Sequence, residues 1–291
     1  MAVMSEKVLA RKTTLRDLKG MKAAGQPIAA ATAYDYASIR LVEEAGIDML
    51  VPDDWAMATT LLGQPGAEGV TIEHLLFYVQ ALGRLVQRAF ILAPLPFGSY
   101  EVSDEDAIRN AARLIKAGAD SVKLQGAGPS IERIRALAEM GIPVAGHLGY
   151  MPQQAKRLGA ERVVGDTSEE AAQFYRDALA LQAAGAWGVV LQNVPEPVAH
   201  QVTTRTHLIT MGAGGTRGCA GYLVQTHDLT GWPQHIRPLF SEPYAAFFER
   251  ALVALNRHCA EVQALQFPTQ EHTFEIDAQE FRAFLQQMGE G

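Results

Sequence analysis

Helical stretches that end in a small residue and glycine, strand runs that are apolar almost without a break, and a steady alternation of the two predict an α/β chain folded as a (β/α)8 TIM barrel. The joints come first. Four times an apolar-periodic stretch closes on glycine and a β-like run follows at once: EEAG-IDMLV at Gly46, IKAG-ADSVKL at Gly118, LAEMG-IPVAG at Gly141 and LQAAG-AWGVVL at Gly185. Glycine just past a helix supplies the left-handed conformation that turns the chain into a strand. Further strand runs at 28–34, 89–97, 207–212 and 222–226 bring the number to eight. Their continuous apolar character suits parallel strands buried on both faces. Helical periodicity at 38–45, 72–88, 104–117, 131–140 and 168–184 fills most of the intervals. No Gly-rich phosphate loop or linker interrupts the order, which favours a closed barrel over a doubly wound sheet.

Length alone is ambiguous: 291 residues suit two domains of about 150 or one barrel of about 250 with additions. The eight strand runs favour one domain, 1–291, a barrel with N-terminal and C-terminal helical extensions. Hydrophobic residues make up 48% of the chain, and 25 Lys+Arg against 32 Asp+Glu give a formal charge of −7. That balance argues against nucleic-acid or membrane-surface partners. No apolar run reaches membrane-spanning length and 1–11 lack an apolar signal region, so a cytoplasmic location is expected. Cys219 and Cys259 are too few for a disulfide framework and read as free thiols.

Active sites of such barrels stand at the C-terminal strand ends, where this chain carries Tyr34-Asp35, Asp53-Asp54, 94–97, Lys123-Leu124-Gln125, His147, Gln192-Asn193, 212–214 and His227-Asp228. Asp53, Gln125 and Gln192 each lie seven positions after their joint glycine, which predicts a common height and facing. Lys123 lies two before Gln125, hence on the same face, and adjacent Asp53 and Asp54 are expected to point apart. His258 and Cys259 on the helical stretch 245–264 read as core or interface, and His207 and His227 as structural.

Several segments carry a resemblance: KTTLRDLKGMKAAGQPIAAATAYD (12–35), LPFGSYE (95–101), NAARLIKAGADSVKLQG (110–126), IPVAGHLGYMPQ (142–153), GAGG (212–215), HDLTGW (227–232) and FPTQEHTF (267–274). In collinear order over most of the chain, they resemble the ketopantoate hydroxymethyltransferase (3-methyl-2-oxobutanoate hydroxymethyltransferase) family. These are (β/α)8 enzymes of the phosphoenolpyruvate/pyruvate superfamily that transfer a one-carbon unit from methylenetetrahydrofolate to a branched 2-oxo acid. The resemblance implies a homo-oligomer, in the family a decamer, and a small-molecule oxo substrate.

The departures fall on the chemistry. The family's Gly-Asp-Ser, whose Asp binds Mg²⁺ and whose Ser helps hold substrate, reads Pro52-Asp53-Asp54 here, so Asp53 is the only retained ligand. A second metal aspartate is replaced by Pro94, a metal-associated glutamate by Gln125, and the catalytic glutamate by Gln192. Lys123, His147 and the 212–214 turn persist. Mg²⁺ usually keeps one or two carboxylate ligands, so its binding is expected to be weakened or lost, with no other cofactor expected. Asp53, Asp54 and Lys123 sum to a formal −1, as the family's carboxylates, lysine and dication do, the result expected if carboxylates left together with the cation they balanced.

These readings give Asp53, Lys123 and Gln192 as candidate catalytic residues, and Asp54, Trp55, Gln125, His147, Gly214 and Arg217 as candidate substrate contacts. Asp53 or Asp54 would serve as base, with Lys123, His147 and the two amides meeting a developing oxyanion. Asp54 would repel an anion or attract an ammonium or hydroxyl group. Three functions stay open: a divergent, metal-independent enzyme making or breaking a carbon–carbon bond, a genuine hydroxymethyltransferase with a weakened metal site, and a silent paralogue with a structural or regulatory role.

Overall fold

The computed structural model describes residues 11–158, 161–232 and 242–289; the charge-mixed start at 1–10 lies outside them. The strands are β1 (Ile28–Thr32), β2 (Met49–Val51), β3 (Phe90–Pro94), β4 (Ser121–Lys123), β5 (Val144–Gly149), β6 (Gly188–Gln192), β7 (Ile209–Ala213) and β8 (Gly221–Val224). Each pairs in parallel with the next, and β1 pairs with β8, closing the barrel in sequence order. The helices are α1 (Leu15–Ala23), α2 (Tyr36–Glu44), α3 (Asp54–Thr60), α4 (Ile72–Leu85), α5 (Asp104–Ala117), α6 (Pro129–Glu139), α7 (Ala155–Leu158), α8 (Ser168–Ala183), α9 (Glu196–Arg205), α10 (Thr226–Thr230), α11 (Phe247–Gln263) and α12 (Ala278–Gln287).

The four joint glycines all adopt positive φ, between 76° and 122°, as a helix-to-strand turn requires. Helix starts are fixed by side-chain caps. Thr14 and Asp17 form a reciprocal capping box on α1, and Asp35 with Ser38 does the same on α2. Ser103 caps α5, whose first turn carries Asp104, Glu105 and Asp106 at the positive end of the helix dipole. α3 and α9 escaped the sequence reading. α3 is short and begins inside what looked like a strand end, and α9 is opened by proline rather than by a capping side chain.

Strand alternation sorts the core into two layers. Ile28, Ala30, Met49, Val51, Phe90, Leu92, Ala145, Val190, Ile209, Met211 and Leu223 fill the barrel interior. Their sequence neighbours, among them Ala31, Leu50, Ile91, Val144, Val189 and Leu191, pack outward against the helices. At the N-terminal end Trp187 meets Phe90 edge-on at 5.6 Å and donates from Nε1 to Ser121 Oγ at 2.8 Å, so its one polar atom is satisfied. Leu18 of α1 is fully buried in the same layer, and burying such a side chain contributes roughly 1.5–3 kcal/mol.

The described chain falls into two compact units, one containing the barrel to Leu229 and one containing 244–289. In the second, α11 and α12 bury no residue, and Phe267 stands edge-on to His258 at 5.0 Å. Cys259 is exposed, so it is not a core residue of its unit, and both cysteines are free. Among the described residues no helix is long and apolar enough to cross a membrane.

Candidate active site

The same alternation that fills the interior decides what lines its C-terminal mouth. Two residues beyond the inward Val51, Ala145, Val190 and Leu223 come Asp53, His147, Gln192 and Gln225, and two beyond Ser121 comes Lys123. An inward polar layer therefore sits on an apolar barrel floor. Lys123 is 1% exposed, and its Nζ lies 3.6 Å from Asp53 Oδ2. Asp53 Oδ1 accepts from the backbone N–H of Ala56 at 3.1 Å, capping α3, and from Gln225 Nε2 at 3.4 Å.

Asp54 corrects an expectation. β2 ends at Val51 and Asp54 opens α3, so strand alternation does not separate the two aspartates. Asp54 lies close enough to Asp53 and Lys123 to feel both charges. Burial first, then the neighbouring Asp53 charge, raises its pKa from 3.8 to about 6, against the pull of Lys123 and a hydrogen bond from Gln153.

Gln153, which the sequence reading did not single out, joins the cluster through every polar group of its side chain. Nε2 donates to Asp54 Oδ2 at 2.6 Å and to the Leu95 carbonyl at 2.9 Å, and Oε1 accepts from Tyr100 Oη at 2.9 Å. Its backbone N–H donates to Gln125 Oε1 at 3.2 Å. Asp53, Asp54, Lys123 and Gln125 thus share one buried neighbourhood with Gln153 and Tyr100. Tyr100 sits on a loop and Gln153 in the single 3-10 turn Pro152–Gln154, where neither period nor offset marks an inward side chain. Gln225 follows inward Leu223 by two places, so alternation marks it, although β8 ends at Val224 rather than continuing to Thr226.

His147 is buried. Its Nε2 lies 3.1 Å from the Tyr150 carbonyl, and burial with the Lys123 charge holds its pKa well below the usual histidine value. Gln192 stands half-buried beside this imidazole rather than in the network. Gly149, between them, has φ 93°, and a Cβ there would lie 2.1 Å from the Gln192 carbonyl, so only glycine lets β5 and β6 close at this height. Trp55 stacks on His227 with ring centroids 6.4 Å apart. His227 is buried and lies near Asp53; desolvation lowers its pKa to about 4, so it belongs to the mouth as well as to the scaffold. Arg217 does not reach the cluster: its side chain is 81% exposed and faces Glu196 at 3.9 Å. Gly214 presents its carbonyl to the Tyr222 hydroxyl. His207 lies just before β7, at the opposite end of the barrel.

The donor set does not fit a hard dication. Asp53 spends one oxygen on a helix cap and the other on an ammonium, and Asp54 accepts from Gln153 and from the Trp55 N–H. Pro94, Gln125 and Gln192 add no charge, and among the described residues no group of three or more His, Cys, Asp or Glu converges.

Comparison with known proteins bears on this constellation. A family model described as ketopantoate hydroxymethyltransferase matches residues 12–270. The 3-methyl-2-oxobutanoate hydroxymethyltransferase of Nitratidesulfovibrio vulgaris (strain DP4) is 41% identical over 276 residues, covering 94% of this chain and 89% of that protein. The one of Thermococcus kodakarensis is 40% identical over 93% of this chain and 95% of its own length. Among solved structures, a 2,3-dimethylmalate lyase of the PEP mutase/isocitrate lyase superfamily aligns with a TM-score of 0.58 at 15% identity, covering 95% of this chain and 96% of that one. An oxaloacetate acetylhydrolase aligns with a TM-score of 0.57 at 11% identity, covering 95% of each chain. At such identities the structural likeness speaks for the fold alone.

Proposed function

Because the chain belongs to the ketopantoate hydroxymethyltransferase family, we propose that it makes or breaks a carbon–carbon bond on a small oxo compound by enolate chemistry run by its own side chains, without resident Mg²⁺. The observation that carries this reading is the buried Lys123–Asp53 pair at 3.6 Å, a fixed cation where the oxo group of a substrate entering the mouth would gain negative charge. Asp54 is the better base, since burial makes it the more basic form of an ordinary carboxylate. In the bond-forming direction Asp54 takes the proton from the carbon beside the carbonyl. The C–H electron pair becomes the enolate double bond, and the carbonyl pair moves onto oxygen, facing Lys123. The enolate carbon then attacks a carbonyl-level one-carbon electrophile. The new C–C bond forms, the oxo group is restored, and the proton held by Asp54 passes to the resulting alkoxide. Cleavage is the reverse. Gln192, an amide, takes no proton; it contributes a dipole beside His147.

The test is hydroxymethyl transfer to 2-oxoisovalerate, assayed with and without EDTA beside a panel of oxo and hydroxy acids. Turnover unchanged by chelator is expected. A loss of tenfold or more that Mg²⁺ restores would favour a genuine metal-dependent transferase, and silence on every compound would favour a structural or regulatory paralogue.

Family membership and the unburied apolar residues of α11 and α12, including Leu252, Leu255, Phe281 and Phe284, support a homo-oligomer. Sedimentation should find an assembly larger than one chain, and Leu252→Glu with Leu255→Glu should shift it toward the monomer; a monomeric parent protein would sink this assignment. The acidic balance supports small-molecule substrates over nucleic acid.

A further inference from the structure

At the N-terminal end of the barrel, away from the mouth, a cavity of about 440 Å³ opens between α1 and the starts of β6 and β7. Small-molecule sites commonly enclose roughly 300–1,000 Å³. Its wall divides by chemistry. Lys19 and Lys22 stand three residues apart on α1, so they share one helix face. Lys22 Nζ donates to the Thr206 carbonyl at 2.9 Å and to the Leu208 carbonyl at 2.5 Å, which places it beside His207, the residue between them. An ammonium has three N–H donors, so these two carbonyls leave one for a ligand. Ala186, Trp187 and Ile209 form the other side. Trp187 spends its one polar atom on Ser121, so it offers the cavity only its apolar ring.

These cations lack a counter-charge. Acids outnumber Lys and Arg by 32 to 25 in the chain, yet none lines the cavity, and among the described residues none pairs with Lys19, Lys22 or His207. Lys22 is half-buried, and burial pulls its pKa below the usual lysine value with no acid close by to oppose the fall. Its charge is met by carbonyl dipoles alone. Lys22 also lies in the last turn of α1, at the negative end of the helix dipole, which disfavours a doubly charged anion more than a singly charged one. We propose that this cavity binds a small organic monocarboxylate with an apolar body, the carboxylate between Lys19, Lys22 and His207 and the hydrocarbon against Trp187, Ala186 and Ile209. The site lies at the opposite end of the strands from Lys123 and is independent of the enolate reading. A carboxylate here takes the remaining N–H of Lys22 in a charge-assisted hydrogen bond and supplies the missing negative charge.

Benzoate, its neutral isostere benzamide and inorganic phosphate test this, each titrated calorimetrically into the unaltered protein. Benzoate is expected to bind at least tenfold more tightly than either of the others. Lys19→Gln alters an exposed side chain far from the mouth, and it should lower benzoate affinity at least threefold while leaving benzamide within twofold. Trp187 reports the place directly. In a protein carrying Trp55→Phe and Trp232→Phe it is the sole tryptophan, and its fluorescence should change with the same benzoate dependence as the heat. A preference for benzoate below tenfold, no binding of any probe, a smaller loss in Lys19→Gln, or Trp187 fluorescence that ignores benzoate would each overturn the site. Should the double tryptophan variant fail to fold, the Lys19→Gln comparison still separates this cavity from the mouth, where Lys123 is the buried cation.

Discussion

Replacing Lys123 by methionine is expected to destabilise the barrel by about 3–5 kcal/mol and to abolish turnover, because it leaves the Asp53 carboxylate buried without its cation. Methionine keeps the length of the apolar stem, so the loss is electrostatic rather than a cavity. Asp53 is 7% exposed, and after the substitution it would keep only one backbone N–H and a 3.4 Å contact from Gln225. The control is the double variant Lys123→Met with Asp53→Asn, which removes both charges. It should recover most of the lost stability, since a buried pair replaced as a unit is close to neutral, yet it should stay inactive because the oxyanion has lost its partner. Urea unfolding followed by circular dichroism reads the first quantity and the aldol assay the second. A single variant as stable as the parent would mean that the pair does not hold this end of the barrel together, and an active double variant would remove Lys123 from the chemistry.

The barrel was legible because its signals are local. A glycine joint and an apolar run each report the state of a few neighbouring residues, and eight in series leave little choice of topology. The inward facing of Asp53, Lys123, His147 and Gln192 was legible for the same reason, as alternation extends past the last apolar residue. What could not be read was anything set by the chain after it leaves a strand. Asp54 was assigned a direction by a strand that had already ended, and helix α3 instead brings it beside Asp53. Gln153, in a single 3-10 turn, and Tyr100, on a loop, reach the cluster from segments whose paths depend on tertiary contacts. Arg217 looked well placed because cations near a barrel mouth often meet substrate, but the glycines around it in the β7–β8 loop give no rule for direction, and it turned to Glu196.

Asp54 supplies the second large effect, and its sign follows from the direction of its shift. Burial and the Asp53 charge raise its pKa from 3.8 to about 6 in the folded chain. A carboxyl with a raised folded pKa contributes stability that is fully present below its unfolded value and is lost as pH rises through the folded one. The parent protein should therefore lose stability through this group across the window from about pH 4 to about pH 6, whereas Asp54→Asn, with no proton to lose, should not. Other acids titrate in both proteins, so the informative quantity is the difference. The unfolding free energy of the variant minus that of the parent should rise by on the order of 2–3 kcal/mol between pH 4 and pH 7. Urea denaturation at the two pH values measures it, and a difference that stays flat would show that Asp54 ionises in the fold as it does in water. Asparagine has one acceptor oxygen where Asp54 uses two, so it keeps the 2.6 Å bond from Gln153 and gives up the 3.2 Å bond from the Trp55 N–H, while the base is gone. Activity should fall by roughly 10²–10⁴-fold, the usual contribution of a positioned base. If the variant is stabilised at neutral pH and inactive together, the burial that makes Asp54 costly to the fold is also what makes it basic enough to take a proton from carbon.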